Sequence, residues 1–193
     1  MSRPRGFDQN SALDHAVELF WARGYAGTSI ADLENHLHLG RQSLYDTFGD
    51  KRTLFLKALE RYSQWNRDRL IEILKAPDTG LDAIRAYFQT VVEFLTPPGQ
   101  RKACLVANSI LEIGQSDAEV SARCLKYQAD VVEGFRYGLS RAVERGELPL
   151  AFNAEAGATM LMAQVYGLSL LAKGGATRQD LMTAVSLLLS RLG

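Results

Sequence analysis

The stretch Thr28–Leu59, TSIADLENHLHLGRQSLYDTFGDKRTLFLKAL, decides how the rest of the chain is read. Thr28 and Ser29 are cap residues, and Asp32 completes the reciprocal Ser-x-x-Asp pattern of a helix start. Ile30, Leu33 and Leu37 then recur at helical spacing and make one apolar stripe. His38 to Gly40 interrupts it. A second short helix is expected from about Arg41 to Phe48, with Leu44 and Phe48 one turn apart on its inner side. Gly49 closes that helix and Asp50 caps a long one starting at Lys51. Two short helices across a tight break, the second entered through Gly and lined with short polar groups, form a helix-turn-helix pattern.

The chemistry of this stretch suits DNA. Arg41, Gln42 and Ser43 occupy the first turn of the second short helix, the end that a recognition helix points at base edges. Arg pairs with guanine and Gln with adenine through two hydrogen bonds each. Tyr45 and Thr47 can reach flanking backbone, and Lys51 can pair with a phosphate. Thr28 and Ser29 bring hydroxyls and N–H groups to a helix start, a natural phosphate site. Four acids, Asp32, Glu34, Asp46 and Asp50, lie close by. Asp46 reads either as an acceptor for cytosine N4 or as a solvated, capping residue.

Outward from this stretch, the pattern stays helical. Asp8 caps a first helix running to about Arg23, with Leu13, Ala16, Val17 and Phe20 on one face. The Lys51 helix extends to about Leu74, about 36 Å at 1.5 Å per residue. Further helices are expected over Leu81–Leu95, Arg101–Ile113, from Ser116 to Arg145, from Asn153 to Lys173, and from Thr177 to Leu192. Thr96-Pro97-Pro98-Gly99 is a firm break. No stretch alternates as a strand does. The expectation is an all-α chain of nine helices: a DNA-binding head over residues 1–50 and a helical domain over 51–193. The last two helices are apolar around most of their girth, so each needs cover on more than one side. A second copy of the chain is the expected cover, giving a homodimer through helices at about 153–173 and 178–192.

Composition narrows the function classes. The chain has 193 residues, 47% hydrophobic and 23% charged, an ordinary globular balance. Lys+Arg 22 equals Asp+Glu 22, which argues against a non-specific polyanion binder but leaves room for a local basic edge. Cys104 and Cys124 form neither a CxxC pair nor a zinc-spaced cluster. No apolar signal core or membrane span is evident, so a reducing cytoplasm is the expected location. The three histidines fall in the first 38 residues, and no nucleophilic triad, carboxylate pair or phosphate loop is present; an enzyme is not expected. His36 and His38 are two apart, whereas metal ligands on one helical face lie three or four apart. No cofactor or metal is implied.

The run from Leu13 to Leu59 resembles the DNA-binding domain of the TetR/AcrR family of one-component bacterial regulators. The matching residues are Ala16, Leu19, Phe20, Gly24, Tyr25, Thr28, Ile30, Ala31, Leu39, Ser43, Leu44, Tyr45, Phe48, Lys51, Leu54 and Leu59. The string SLYDTFGDKRTLF is similar to the family's Leu-Tyr-x-x-Phe-x-x-Lys-x-x-Leu signature, and RKACLVANSILEIG looks like a variant of its sixth-helix region. The resemblance implies a TetR-like fold, with an N-terminal three-helix head and a C-terminal ligand-binding and dimerisation domain. It implies base contacts from Arg41 to Tyr45 and phosphate contacts from Thr28, Tyr45 and Lys51. The arm residues Arg3 and Arg5 would enter a minor groove or touch phosphates. The partners are then a pseudo-palindromic double-stranded operator, read as a homodimer by a ligand-responsive repressor, and a small-molecule effector.

An effector needs an apolar cavity with few polar contacts. Tyr62, Trp65, Phe88, Tyr127 and Tyr166 are the candidate walls, with Asn108, Glu112 and Cys104 as candidate contacts. Plain core packing is the competing reading for each aromatic. Cys104, near Arg101 and Lys102 at a helix start, also fits a thiol-based electrophile or oxidant sensor, or simply a small buried residue. A helical interaction module with a weakened DNA head is the remaining alternative, motivated by the acids beside Arg41.

Overall fold

Local signals place the helix ends, and tertiary packing then sorts their faces. The structure, a computed structural model, describes residues 7–77, 79–97 and 103–192. Among these the chain is all-helical, without strands. The helices are α1 (Gln9–Arg23), α2 (Ile30–Leu37), α3 (Arg41–Phe48), α4 (Lys51–Asn66), α5 (Leu81–Leu95), α6 (Leu105–Ile113), α7 (Ala118–Glu144), α8 (Ala154–Gly174) and α9 (Arg178–Leu189). Helix α4 runs on through a π-turn (Arg67–Ile71) and a last α-turn (Glu72–Leu74). The Glu72 N–H reaches back to the Arg67 carbonyl, so one residue is inserted into the helical repeat. Leu70, Ile71 and Leu74 are all buried. The apolar periodicity reads as one uninterrupted helix and so hides this insertion.

Caps set the starts. The Asp8 side chain accepts from the Asn10 N–H at 3.0 Å and opens α1. Ser29 with Asp32, and Thr177 with Asp180, form complete capping boxes on α2 and α9. Asn153 caps α8 through the Ala156 N–H.

The chain divides into two compact units. One comprises Met1–Gln64 with Leu105–Cys124; the other comprises Trp65–Cys104 with Leu125–Gly193. The expected boundary at 50/51 therefore falls inside the first unit, which also takes in α6 and the start of α7.

The first unit is packed on Phe20 and Phe55, whose rings meet edge to face at 5.0 Å. Ala16, Val17, Leu33, Leu44, Leu54, Ala58 and Leu59 are buried in the same unit. In the second unit Tyr87 and Phe88 of α5 meet Phe135 of α7 at 4.7 and 5.7 Å, all three fully buried. Full burial of such rings stabilises by about 1.5–3 kcal/mol each. Helix α8 buries Ala158, Leu161, Met162, Val165, Leu168 and Ala172, and α9 buries Leu181, Val185 and Leu189. The opposite side of α8 is exposed at Met160, Ala163, Gln164, Gly167, Leu170 and Leu171, a helical stripe without a charge. Leu187 is exposed on α9.

Candidate nucleic-acid interface

Helix α3 is held by its apolar side and offers its polar one. Leu44 and Phe48 are buried, whereas Arg41, Gln42, Ser43 and Tyr45 are exposed and Thr47 is half-buried. Gly40 is the N-cap and supplies no side-chain bond, so the first turn of α3 carries no internal cap. His38 ends α2 in the left-handed region, at φ 53°, which lets the chain reverse within three residues. A shallow groove of about 480 Å³ lies against this turn, lined by Ala31, Glu34, Asn35, His38, Leu39 and Gly40.

The exposed side chains are ordered against one another. Arg41 leans over the Tyr45 ring at 5.9 Å. The Gln42 amide Nε2 donates to Asp46 at 2.8 Å, one turn on. Asp46 is thus a partner of Gln42 in the free protein. Lys51 opens α4 with its Nζ 4.2 Å from the centroid of the Tyr25 ring. An aromatic face attracts the ammonium without consuming its N–H donors.

Two of the other acids beside α3 are also engaged. Asp32 accepts from the Ser29 hydroxyl and N–H and pairs with Arg23, which together hold its carboxyl well below the usual range, at about 2. Asp50 accepts from the Thr53 N–H at 2.7 Å, and that bond lowers its pKa.

The structure departs from the sequence expectation at Thr28. Its side chain is fully buried, and its hydroxyl donates to the Gly24 carbonyl at 2.7 Å. A phosphate needs a donor, and this one is spent inside the fold. Ser29 is exposed, but its hydroxyl is donated to Asp32 at 2.6 Å. What remains at this helix start is the backbone: the first N–H groups of any helix lack intrahelical partners. Arg3 and Arg5 lie outside the described residues.

The residues named for an effector fall in both units. Tyr62, Asn108 and Glu112 belong to the first; Trp65, Phe88, Cys104, Tyr127 and Tyr166 belong to the second. Tyr62 packs edge to face on Trp21 at 5.1 Å. Cys104 is buried and its backbone N–H donates to the Ser169 hydroxyl at 2.6 Å. Tyr166 donates to Gln128 at 3.3 Å. Glu112 is exposed, and its carboxylate accepts the Tyr25 backbone N–H at 2.8 Å. The sequence missed this role, since no local pattern announces a bond between residues 87 apart. It missed Arg52 for the same reason: its guanidinium forks onto Asp117 at 2.6 and 2.9 Å and bonds Glu119 at 3.0 Å.

Residues 12–58 match the bacterial regulatory proteins of the tetR family, and residues 80–187 match the tetracyclin repressor-like C-terminal domain. The chain belongs to the tetR family. It is a DNA-binding transcriptional regulator. The uncharacterized HTH-type transcriptional regulator YezE of Bacillus subtilis (strain 168) is 40% identical over 77% of this chain and 76% of its own length. The HTH-type transcriptional repressor ComR of Escherichia coli (strain K12) is 26% identical over 93% of this chain and 86% of its own. Among solved tetR-family structures, a cysteine mutant of the regulator CifR complexed with 26 bp operator DNA superposes with a TM-score of 0.88 at 28% identity, covering 100% of both chains. No helix among the described residues is long and apolar enough to cross a membrane.

Proposed function

We propose that this tetR-family regulator is a ligand-responsive repressor that reads a pseudo-palindromic operator as a homodimer in the cytoplasm. The observation that carries the reading is the first turn of α3. Arg41, Gln42 and Ser43 are exposed together there, while Leu44 and Phe48 fix the helix from behind. Arg41 and Gln42 supply the base contacts, with Ser43 and Tyr45 beside them. Lys51, Thr47 and the N–H groups at the start of α2, next to Ser29, supply the phosphate contacts. Thr28 acts as an internal brace rather than a clamp.

The exposed, charge-free stripe of α8 and Leu187 of α9 support dimerisation through these helices. Gly167 and Ala163 let a partner helix approach closely, and Leu170 and Leu171 supply apolar area. Two α3 helices about 34–36 Å apart would then face successive major grooves. The operator-bound CifR complex, with its 26 bp duplex, supports an operator of that size class. The effector is assigned to the second unit, against Trp65, Phe88, Cys104, Tyr127 and Tyr166. The burial of Cys104 favours a packing role over a rapid thiol sensor.

The test is a mobility shift with DNA flanking the protein's own coding region. Lys51→Ala should weaken binding to every sequence, and Arg41→Ala should change which sequence is preferred. Absence of salt-sensitive binding to any such fragment refutes the reading.

A further inference from the structure

Lys51 is joined by a chain of contacts to a residue far away in the sequence. Its Nζ rests on the Tyr25 ring at 4.2 Å. That ring is wedged against Phe55 at 4.8 Å and lies parallel to Phe20 at 6.5 Å. The backbone of Tyr25 is tied in turn: its N–H donates to a Glu112 carboxylate oxygen at 2.8 Å. The residue before it, Gly24, is buried at φ +77°, and a Cβ there would collide with the same carboxylate. Glycine at 24 suits this positive φ and leaves the Glu112 carboxylate its place beside the turn. The residue after Lys51 is held from the same corner, since Arg52 is forked onto Asp117 and reaches Glu119. All of these residues lie in one compact unit.

We infer that Glu112 is a positioning residue for DNA binding: by holding the Tyr25 backbone it fixes the ring that presents Lys51 to a phosphate. This rests on the reading of Lys51 as a phosphate contact. Glu112 itself touches no DNA. It acts through one hydrogen bond, a ring and a cation. Three properties follow. The effect of losing Glu112 passes through Lys51. It depends on an acceptor atom and not on negative charge. It appears in the electrostatic component of binding.

The experiment uses the full chain and the DNA flanking its coding region, with affinity measured across a salt series. The variants are Lys51→Ala, Glu112→Ala, Glu112→Gln and the double variant Lys51→Ala/Glu112→Ala, each checked for helical content. Lys51→Ala should lower the slope of log affinity against log salt by about 0.9 per head. Glu112→Ala should weaken binding about tenfold, with a reduced slope, a coupling of the size that contacting residues show. Glu112→Gln keeps an oxygen for the Tyr25 N–H and should stay within about twofold of the wild type. The double variant should bind no worse than Lys51→Ala alone. Multiplying effects in the double variant overturn the inference, as does an unchanged slope in Glu112→Ala or a Glu112→Gln as weak as Glu112→Ala. If Lys51→Ala weakens binding while Glu112→Ala does not, the inference falls and the clamp stands. If Lys51→Ala binds as the wild type does, the clamp and the inference fall together.

Discussion

Gly24→Ala separates two costs that the structure superimposes at one position. Gly24 is buried and sits at φ 77°, ψ 176°, a region essentially confined to glycine that costs an L-residue about 1–3 kcal/mol. The new methyl would also collide with the Glu112 carboxylate, forcing that side chain off the Tyr25 N–H. Losing a hydrogen bond to a charged acceptor costs about 1–3 kcal/mol, toward the low end here because Glu112 is exposed. Gly24→Ala should therefore destabilise the chain by about 2–4 kcal/mol. Glu112→Ala alone loses only the bond, about 1 kcal/mol. In the Glu112→Ala background there is no carboxylate left to collide with, so Gly24→Ala should cost only the backbone strain, about 1–3 kcal/mol. Urea unfolding of the four chains, followed by circular dichroism, closes this cycle. Equal costs of Gly24→Ala in the two backgrounds would refute the reasoning, because the methyl would then not be meeting Glu112.

Other consequences are as direct. Leu170→Glu puts a charge in the exposed stripe of α8; it should turn the dimer into a monomer in sedimentation and weaken operator binding by about tenfold or more, since the two heads lose their linkage. Phe135→Ala removes the ring that Tyr87 and Phe88 pack on and should cost about 3–5 kcal/mol in urea unfolding, while leaving the salt slope of DNA binding unchanged. Cys104 and Cys124 are both buried, so a thiol reagent should label the native chain about a hundredfold more slowly than the urea-unfolded one. Rapid labelling at Cys104 would revive the sensor reading. Asp32 and Asp117 titrate at about 2 in the folded chain, below the ordinary carboxylate value of about 3.9. The unfolded chain therefore binds protons first on acidification, so their contribution is fully present above about pH 4 and is lost as pH falls toward 2. Urea midpoints should show this loss, and Asp32→Asn should reduce it.

The sequence was most informative where neighbouring residues decide the structure. Ser29 with Asp32, and Thr177 with Asp180, satisfy backbone donors three residues apart, and both boxes form as read. The stripes Ile30, Leu33, Leu37 and Leu44, Phe48 are read on one helix each, and they place the exposed turn Arg41–Ser43 without any tertiary information. It was least informative where two distant segments meet. Thr28 looks like a cap and a phosphate ligand from its neighbours alone; its burial follows from Gly24 turning the chain so that the carbonyl meets the hydroxyl. Glu112 reads as a polar contact on an apolar helix, yet its partner is a backbone N–H that every residue but proline carries. No residue type advertises such an acceptor. The π-turn at Arg67–Ile71 is hidden for a related reason: a single inserted residue leaves the apolar pattern within the tolerance of a 3.6-residue period.

In the proposed reading, a chain with no net charge favours DNA because three of the four acids beside α3 are paired. A carboxylate that receives N–H or guanidinium donors has its field partly cancelled at short range, and salt screens the remainder within about 10 Å at 0.1 M. Asp32 is met by Ser29 and Arg23, Asp50 by Thr53, and Asp46 by Gln42. Arg52 is given over to Asp117 and Glu119, so it neutralises the α7 start instead of facing a phosphate. Lys51 is treated differently from its neighbour: its partner is a ring, which holds the cation while leaving its charge in the field. Adjacent basic residues thus have opposite uses. Counting charges along the sequence treats them alike, so the zero balance carries no information on how charge is arranged along this edge. Asp46 is the acid whose partner, Gln42, is the proposed base reader, so in that reading the pairing bears on which base is chosen more than on how tightly the backbone is held.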